Sequence, residues 1–144
     1  MALVLEMQEQ GNKKTRKAQE IDDLVDDNTI LVRRTLRSGQ KINFSGNVVI
    51  LGDVNPGAEV MASGHVVVLG ALRGMVHAGA AGDEQAVVVA FRLQPTQLRI
   101  ANHITRPPED ESARPSQPEI ARIKDDVVTI EVFQTGGERQ GFVV

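Results

Sequence analysis

At 144 residues the chain has room for one domain and not comfortably for two. Lysine and arginine number 16 against 19 acidic residues, a net charge of −3, which argues against a domain that binds nucleic acid by neutralising phosphates. The absence of cysteine excludes disulfides, thiolate metal sites and cysteine nucleophiles, and four phenylalanines with no tryptophan or tyrosine argue against a base-stacking platform.

The first 28 residues read as a solvated arm, with a basic run at Lys13, Lys14, Arg16 and Lys17 and an acidic one at Asp22, Asp23, Asp26 and Asp27. Ile21, Leu24 and Val25 fall at i, i+3 and i+4, which allows a short helix around 15–27. The opening MALVLEMQEQ reaches Glu6 and Glu9 too early for a signal peptide. No stretch approaches the roughly 18–20 apolar residues of a membrane span, so a cytosolic protein is expected.

From Thr29 the pattern becomes strand-like. RRTLRSGQK (33–41) then gathers Arg33, Arg34 and Arg37 ahead of a Ser38-Gly39 turn. Arginine presents a planar fork to carboxylates, so this is a docking spot suited to an acidic partner, although a solvated basic turn has the same look.

Residues 41–104 hold only eight charges and contain an internal repeat. SGNVVILGDV (45–54) aligns with SGHVVVLGAL (63–72) at an offset of 18, and VVVAFRL (87–93) follows at an offset of 21. The three extra residues fall at Asp83-Glu84-Gln85, and TQLRIANH (96–103) begins a further turn. Eighteen residues fit three short strands and three corners, so each turn draws a triangle. Glycines mark the corners: Gly46, Gly64 and Gly82 at one, Gly52 and Gly70 at the next, Gly57 and Gly74 near the third. The reading is an all-β fold, a parallel β-helix of about three and a half turns over 41–104.

VVIL (48–51), VVVL (66–69) and VVVA (87–90) are apolar at every position. Side chains alternate between the faces of a strand. If Val49, Leu51, Val67 and Leu69 fill the coil, then Val48, Ile50, Val66 and Val68 face outward as the candidate dimer face. The residues alone do not say which set is which. Either way an apolar patch of about a few hundred Å2 is left outside, to be covered by the C-terminal hairpin or, as favoured here, by a second copy.

TRPPEDESARPSQP (105–118) holds four prolines and reads as a loop. IARIKDDVVTIEVF then gives two strands around Asp125-Asp126, a hairpin, and residues 134–144 read as a tail. His65, His77 and His103 are out of phase with the repeat, so no metal site and no catalytic base is expected of them. There is no G-x-S-x-G elbow and no phosphate-binding G-x-x-x-x-G-K-[ST] loop, and no cofactor is implied.

RRTLRSGQK followed by GDVNPGAEVMASGHVVVLGALRGMVHAGAAGD (52–83), with EIARIKDDVVTIEVF (119–133) behind, resembles the C-terminal domain of the MinC family of bacterial septum-site-determining proteins. The similarity spans residues 29–133. It implies a right-handed β-helix that forms a homodimer through an apolar face. It implies binding to the membrane-associated ATPase MinD through Arg37, Ser38, Gly39 and Gln40, with Asn55 and Gly57 as weaker candidates. The implied role is non-enzymatic: MinD carries the protein to the inner face of the membrane, and the pair opposes FtsZ assembly away from mid-cell. The family's N-terminal domain, credited with most direct FtsZ inhibition, has only the 28-residue arm in its place. A self-polymerising scaffold of the bactofilin type is the alternative. A β-helix enzyme is disfavoured, because such enzymes show a six-residue apolar period and convergent histidines.

Overall fold

In the computed structural model, which describes residues 28–106 and 117–134, every regular element is a strand. The chain winds as a parallel β-helix. One side of the triangle stacks β1 (Thr29–Val32), β3 (Asn47–Ile50), β5 (Val66–Leu72) and β7 (Val88–Leu93). A second stacks β2 (Lys41–Phe44), β4 (Glu59–Ala62), β6 (Met75–Ala78) and β8 (Gln97–Ile100). The third side is only about a residue wide, held by parallel bridges from Leu36 to Val54 and from Val54 to Leu72. The coil already begins at β1, so Arg33, Arg34 and Arg37 lie within its first turn rather than ahead of it.

β-Branched residues dominate because each strand must be extended and fill a narrow interior. Val48, Val66 and Val88 stack in register, as do Ile50, Val68 and Ala90, and all six have no solvent exposure. Val60, Val76 and Leu98 line the second side, and Leu36, Val54, Leu72 and Leu93 the third. This corrects the candidate dimer face: Val48, Ile50, Val66 and Val68 are core. Their register turns Leu31, Val49, Leu51, Val67, Leu69, Val89 and Phe91 outward instead.

The corner leading into the first side is a side-chain ladder. The backbone N–H of His65 donates to Asn47 Oδ1 at 2.8 Å, and that of Val87 donates to His65 Nδ1 at 3.0 Å. His65 therefore serves backbone groups that the corner would otherwise leave without partners.

The period is less uniform than the sequence alignment. From β4 to β6 the offset is 16, Glu59 opposite Met75, because Arg73-Gly74 makes a shorter corner than Asn55–Ala58. The residue that bonds Gly64 at this corner is Gly79, whose N–H donates to Gly64 O at 2.9 Å. Gly82 sits instead in the inserted loop, at φ +110°. From β5 to β7 the offset is 22, Val66 opposite Val88, and it becomes 21 past an irregularity between Val68 and Ala71. The fourth turn rounds that corner with one residue fewer.

After β8 the chain stops winding. It reverses at Ala101 (φ +53°) into β9 (His103–Thr105), antiparallel to β8. Beyond the segment 107–116, β10 (Glu119–Lys124) pairs antiparallel with β7 and then with β11 (Val127–Val132). The hairpin turn is Asp125-Asp126, both at positive φ, the two-residue form whose twist matches the strands. A Lys124–Glu131 ion pair spans it, and that hydrogen bond lowers the pKa of Glu131. Apart from Asn28 and Gln134, the expected arm and tail lie outside the described residues. No helix of the described residues is long and apolar enough to cross a membrane.

Candidate partner-binding corner

The corner between the third and second sides carries the residues singled out from sequence. Arg37–Gln40 is a tight turn closed by Gln40 N–H to Arg37 O at 2.9 Å. Gly39 takes its third position at φ +89°, a conformation that costs any residue with a Cβ. Gln40 tightens the turn further, its Oε1 accepting the Arg37 N–H at 2.8 Å. One rung on, Asn55-Pro56-Gly57-Ala58 repeats the geometry, with Ala58 N–H to Asn55 O at 2.9 Å and Gly57 at φ +91°. Proline suits the second position because its ring presets φ.

The two turns stack. Gly39 N–H donates to Gly57 O at 2.9 Å, Asn55 N–H to Leu36 O at 3.0 Å and Glu59 N–H to Gln40 O at 3.0 Å. A Cβ on Gly57 would collide with the Ser38 hydroxyl, so the second glycine lets the first turn sit down on it. Buried Leu36 anchors the side chains that follow it, and Arg37, Ser38, Gly39 and Gln40 are all exposed. The structure thus brings Arg37, Ser38, Gly39, Gln40, Asn55 and Gly57 into one protruding patch.

One residue of this patch escaped the sequence reading. Arg73 stands 18 beyond Asn55, as Asn55 does beyond Arg37, and its Nη1 donates to Asn55 Oδ1 at 3.2 Å. The offset itself was the available signal. Among the described residues, Arg33, Arg34, Arg37 and Arg73 have no carboxylate within ion-pair distance. The nearby Asp53 is engaged by backbone, accepting the Ala71 N–H at 2.8 Å. The patch is therefore cationic, with hydrogen-bond donors aimed at solvent, and it suits a carboxylate-bearing surface.

Elsewhere, His77 Nε2 lies 2.9 Å from Ala101 O. Glu84, His103 and Asp126 bring one ligand atom each to within 4.8 Å of one another, with His103 Nε2 3.3 Å from Glu84 Oε2. The phase argument did not foresee this grouping, because the inserted loop, the β8–β9 reversal and the hairpin turn all lie outside the repeat. It is near the surface.

The model of the MinC C-terminal domain, described as a septum formation inhibitor domain, matches residues 30–133. The chain belongs to the MinC family. A probable septum site-determining protein MinC of Heliobacterium modesticaldum is 60% identical over 116 residues, 81% of this chain and 40% of that protein. The MinC of Clostridium novyi is 56% identical, covering 73% of this chain and 50% of that protein. This chain thus spans half or less of these two relatives. Among solved structures, a chain of the MinC:MinD cell division protein complex of Aquifex aeolicus is 38% identical with a TM-score of 0.72, covering 78% of this chain and 92% of that one.

Proposed function

We propose that this chain is a non-enzymatic regulator of septum placement that docks on MinD through the Arg37–Gln40 corner and self-associates through the outer face of its first sheet. The observation that carries the docking reading is the stacked pair of glycine turns, which projects Arg37, Ser38 and Gly39 on a fixed, cationic edge. The likeness to a chain of a MinC:MinD complex supports the identity of the partner. Self-association rests on the ladder Leu31, Val49, Val67, Val89, with Leu51, Leu69 and Phe91 alongside, an apolar stripe too continuous to leave in water. Two copies facing each other would display two corners, so one dimer could hold two MinD molecules. Bound to MinD at the membrane, the protein opposes FtsZ assembly by occupying a filament's surface, with no covalent step and no cofactor.

The test is co-sedimentation with MinD and ATP on lipid vesicles, comparing the wild type with Arg37→Ala and Gly39→Asp. The wild type should sediment with MinD, and both variants should remain in the supernatant. A Cβ at Gly39 meets nothing within 4 Å, so the aspartate places a carboxylate on the cationic edge at the cost of turn strain alone. Normal sedimentation of both variants, or none of the wild type, would overturn the reading.

A further inference from the structure

The third side of the coil is a ladder of two kinds. Leu36, Val54, Leu72 and Leu93 point inward and are buried. The residue after each of the first three points outward, giving Arg37, Asn55 and Arg73 on successive rungs. Rungs of a sheet lie about 4.8 Å apart, so the two arginines start about 10 Å from each other with the asparagine between them.

The Arg73 backbone is fixed. Its N–H and that of Gly74 both donate to Val54 O, at 2.7 and 3.1 Å. A Cβ on Gly74 would run into the Ala58 carbonyl, so the chain passes here at its closest. The guanidinium is restrained at one nitrogen by Asn55 and keeps its remaining donors for solvent. An exposed arginine normally has many rotamers to lose when it binds, and one already held loses fewer.

We infer that Arg73 is a second anion-gripping arm of this corner, and that Asn55 is a positioning residue that aims it. The inference rests on the proposal that MinD docks here. It names the chemistry of that contact as a pair of carboxylates on the partner's surface, one for Arg37 and one for Arg73. No described carboxylate competes for either arginine, which is the complementarity such a segment needs.

The test is binding of the full chain to ATP-loaded MinD in solution by isothermal titration calorimetry, without lipid. Arg73→Ala should weaken binding about tenfold or more, the loss expected for a charge-assisted pair. Arg73→Lys should recover only part of it, because a point charge replaces the fork. Asn55→Ala should weaken binding about threefold and have no further effect when Arg73 is already alanine. A merely structural role for Asn55 would persist in that background. The salt dependence of affinity should flatten in Arg73→Ala and stay unchanged in Asn55→Ala.

Wild-type affinity in Arg73→Ala while Arg37→Ala fails to bind would overturn this inference and leave the docking proposal standing. Additive losses in the double variant would overturn the positioning role. No binding by the wild type would sink both. Binding of the wild type to phosphatidylglycerol vesicles without MinD, lost in Arg73→Ala, would also overturn it, since the anion would then be a phosphate.

Discussion

The outer face of the first sheet and the outer edge of the third side are built by the same device and carry opposite chemistry. On the first, one position repeated through the turns reads Leu31, Val49, Val67, Val89. On the second it reads Arg37, Asn55, Arg73. A coil with a fixed offset turns a choice at one position into a stripe running along the molecule. Inside, volume dictates that choice, whereas outside the position is free to vary in chemistry. The contrast between the two stripes is therefore what the proposed contacts of each face rest on.

The strongest way to test the division is to change neighbours. Val66→Asp would bury a carboxylate with no partner and should cost more than about 4 kcal/mol, seen as loss of the β signal in circular dichroism at 25 °C. Val67→Asp, one residue on and facing out, should keep the fold and shift the protein to monomer in analytical ultracentrifugation at tens of micromolar. If Val67→Asp also unfolds the chain, or leaves a dimer intact, the outer face has been misread. At the corner, Gly57→Ala combines positive φ with a collision at Ser38 and should cost about 2–3 kcal/mol in urea unfolding. Gly39→Ala, at a similar φ but open to solvent, should cost only about 1 kcal/mol. Equal losses would show that the two turns do not stack.

The smallest effect concerns the capping strand. Burial holds the Glu119 carboxyl above its ordinary range, so its ionised form is disfavoured in the folded state. Folding should gain as pH falls from neutral through that raised value, with no further gain below the unfolded carboxylate's own. Glu119→Gln should remove this dependence, by less than about 1 kcal/mol because the group stays partly exposed, measured as the thermal midpoint against pH.

Much of this was legible from spacing. The offset of 18, the Asp125-Asp126 hairpin and the strand entry at Thr29 follow from periodicity and turn chemistry. Inside and outside were not legible, because VVIL and VVVL are apolar at every position and alternation then carries no contrast. The Gly82 corner failed because the turn at Arg73-Gly74 is two residues shorter, so the offset of 18 does not hold there although the motif looks undisturbed. Arg37, Ser38 and Gly39 stood out by resemblance, whereas Arg73 needed the rungs counted. The meeting of Glu84, His103 and Asp126 depends on where two reversals land, and no local pattern encodes that.

Those reversals bear on polymerisation. A growing solenoid offers its next rung a parallel edge, with evenly spaced, slanted hydrogen bonds. Here that edge is already taken: β10 pairs antiparallel with β7, and β9 with β8. The edge that a further rung would use is thus occupied by the chain's own reversals. To continue the parallel coil through this end, another copy would first have to displace β9 and β10 from those edges.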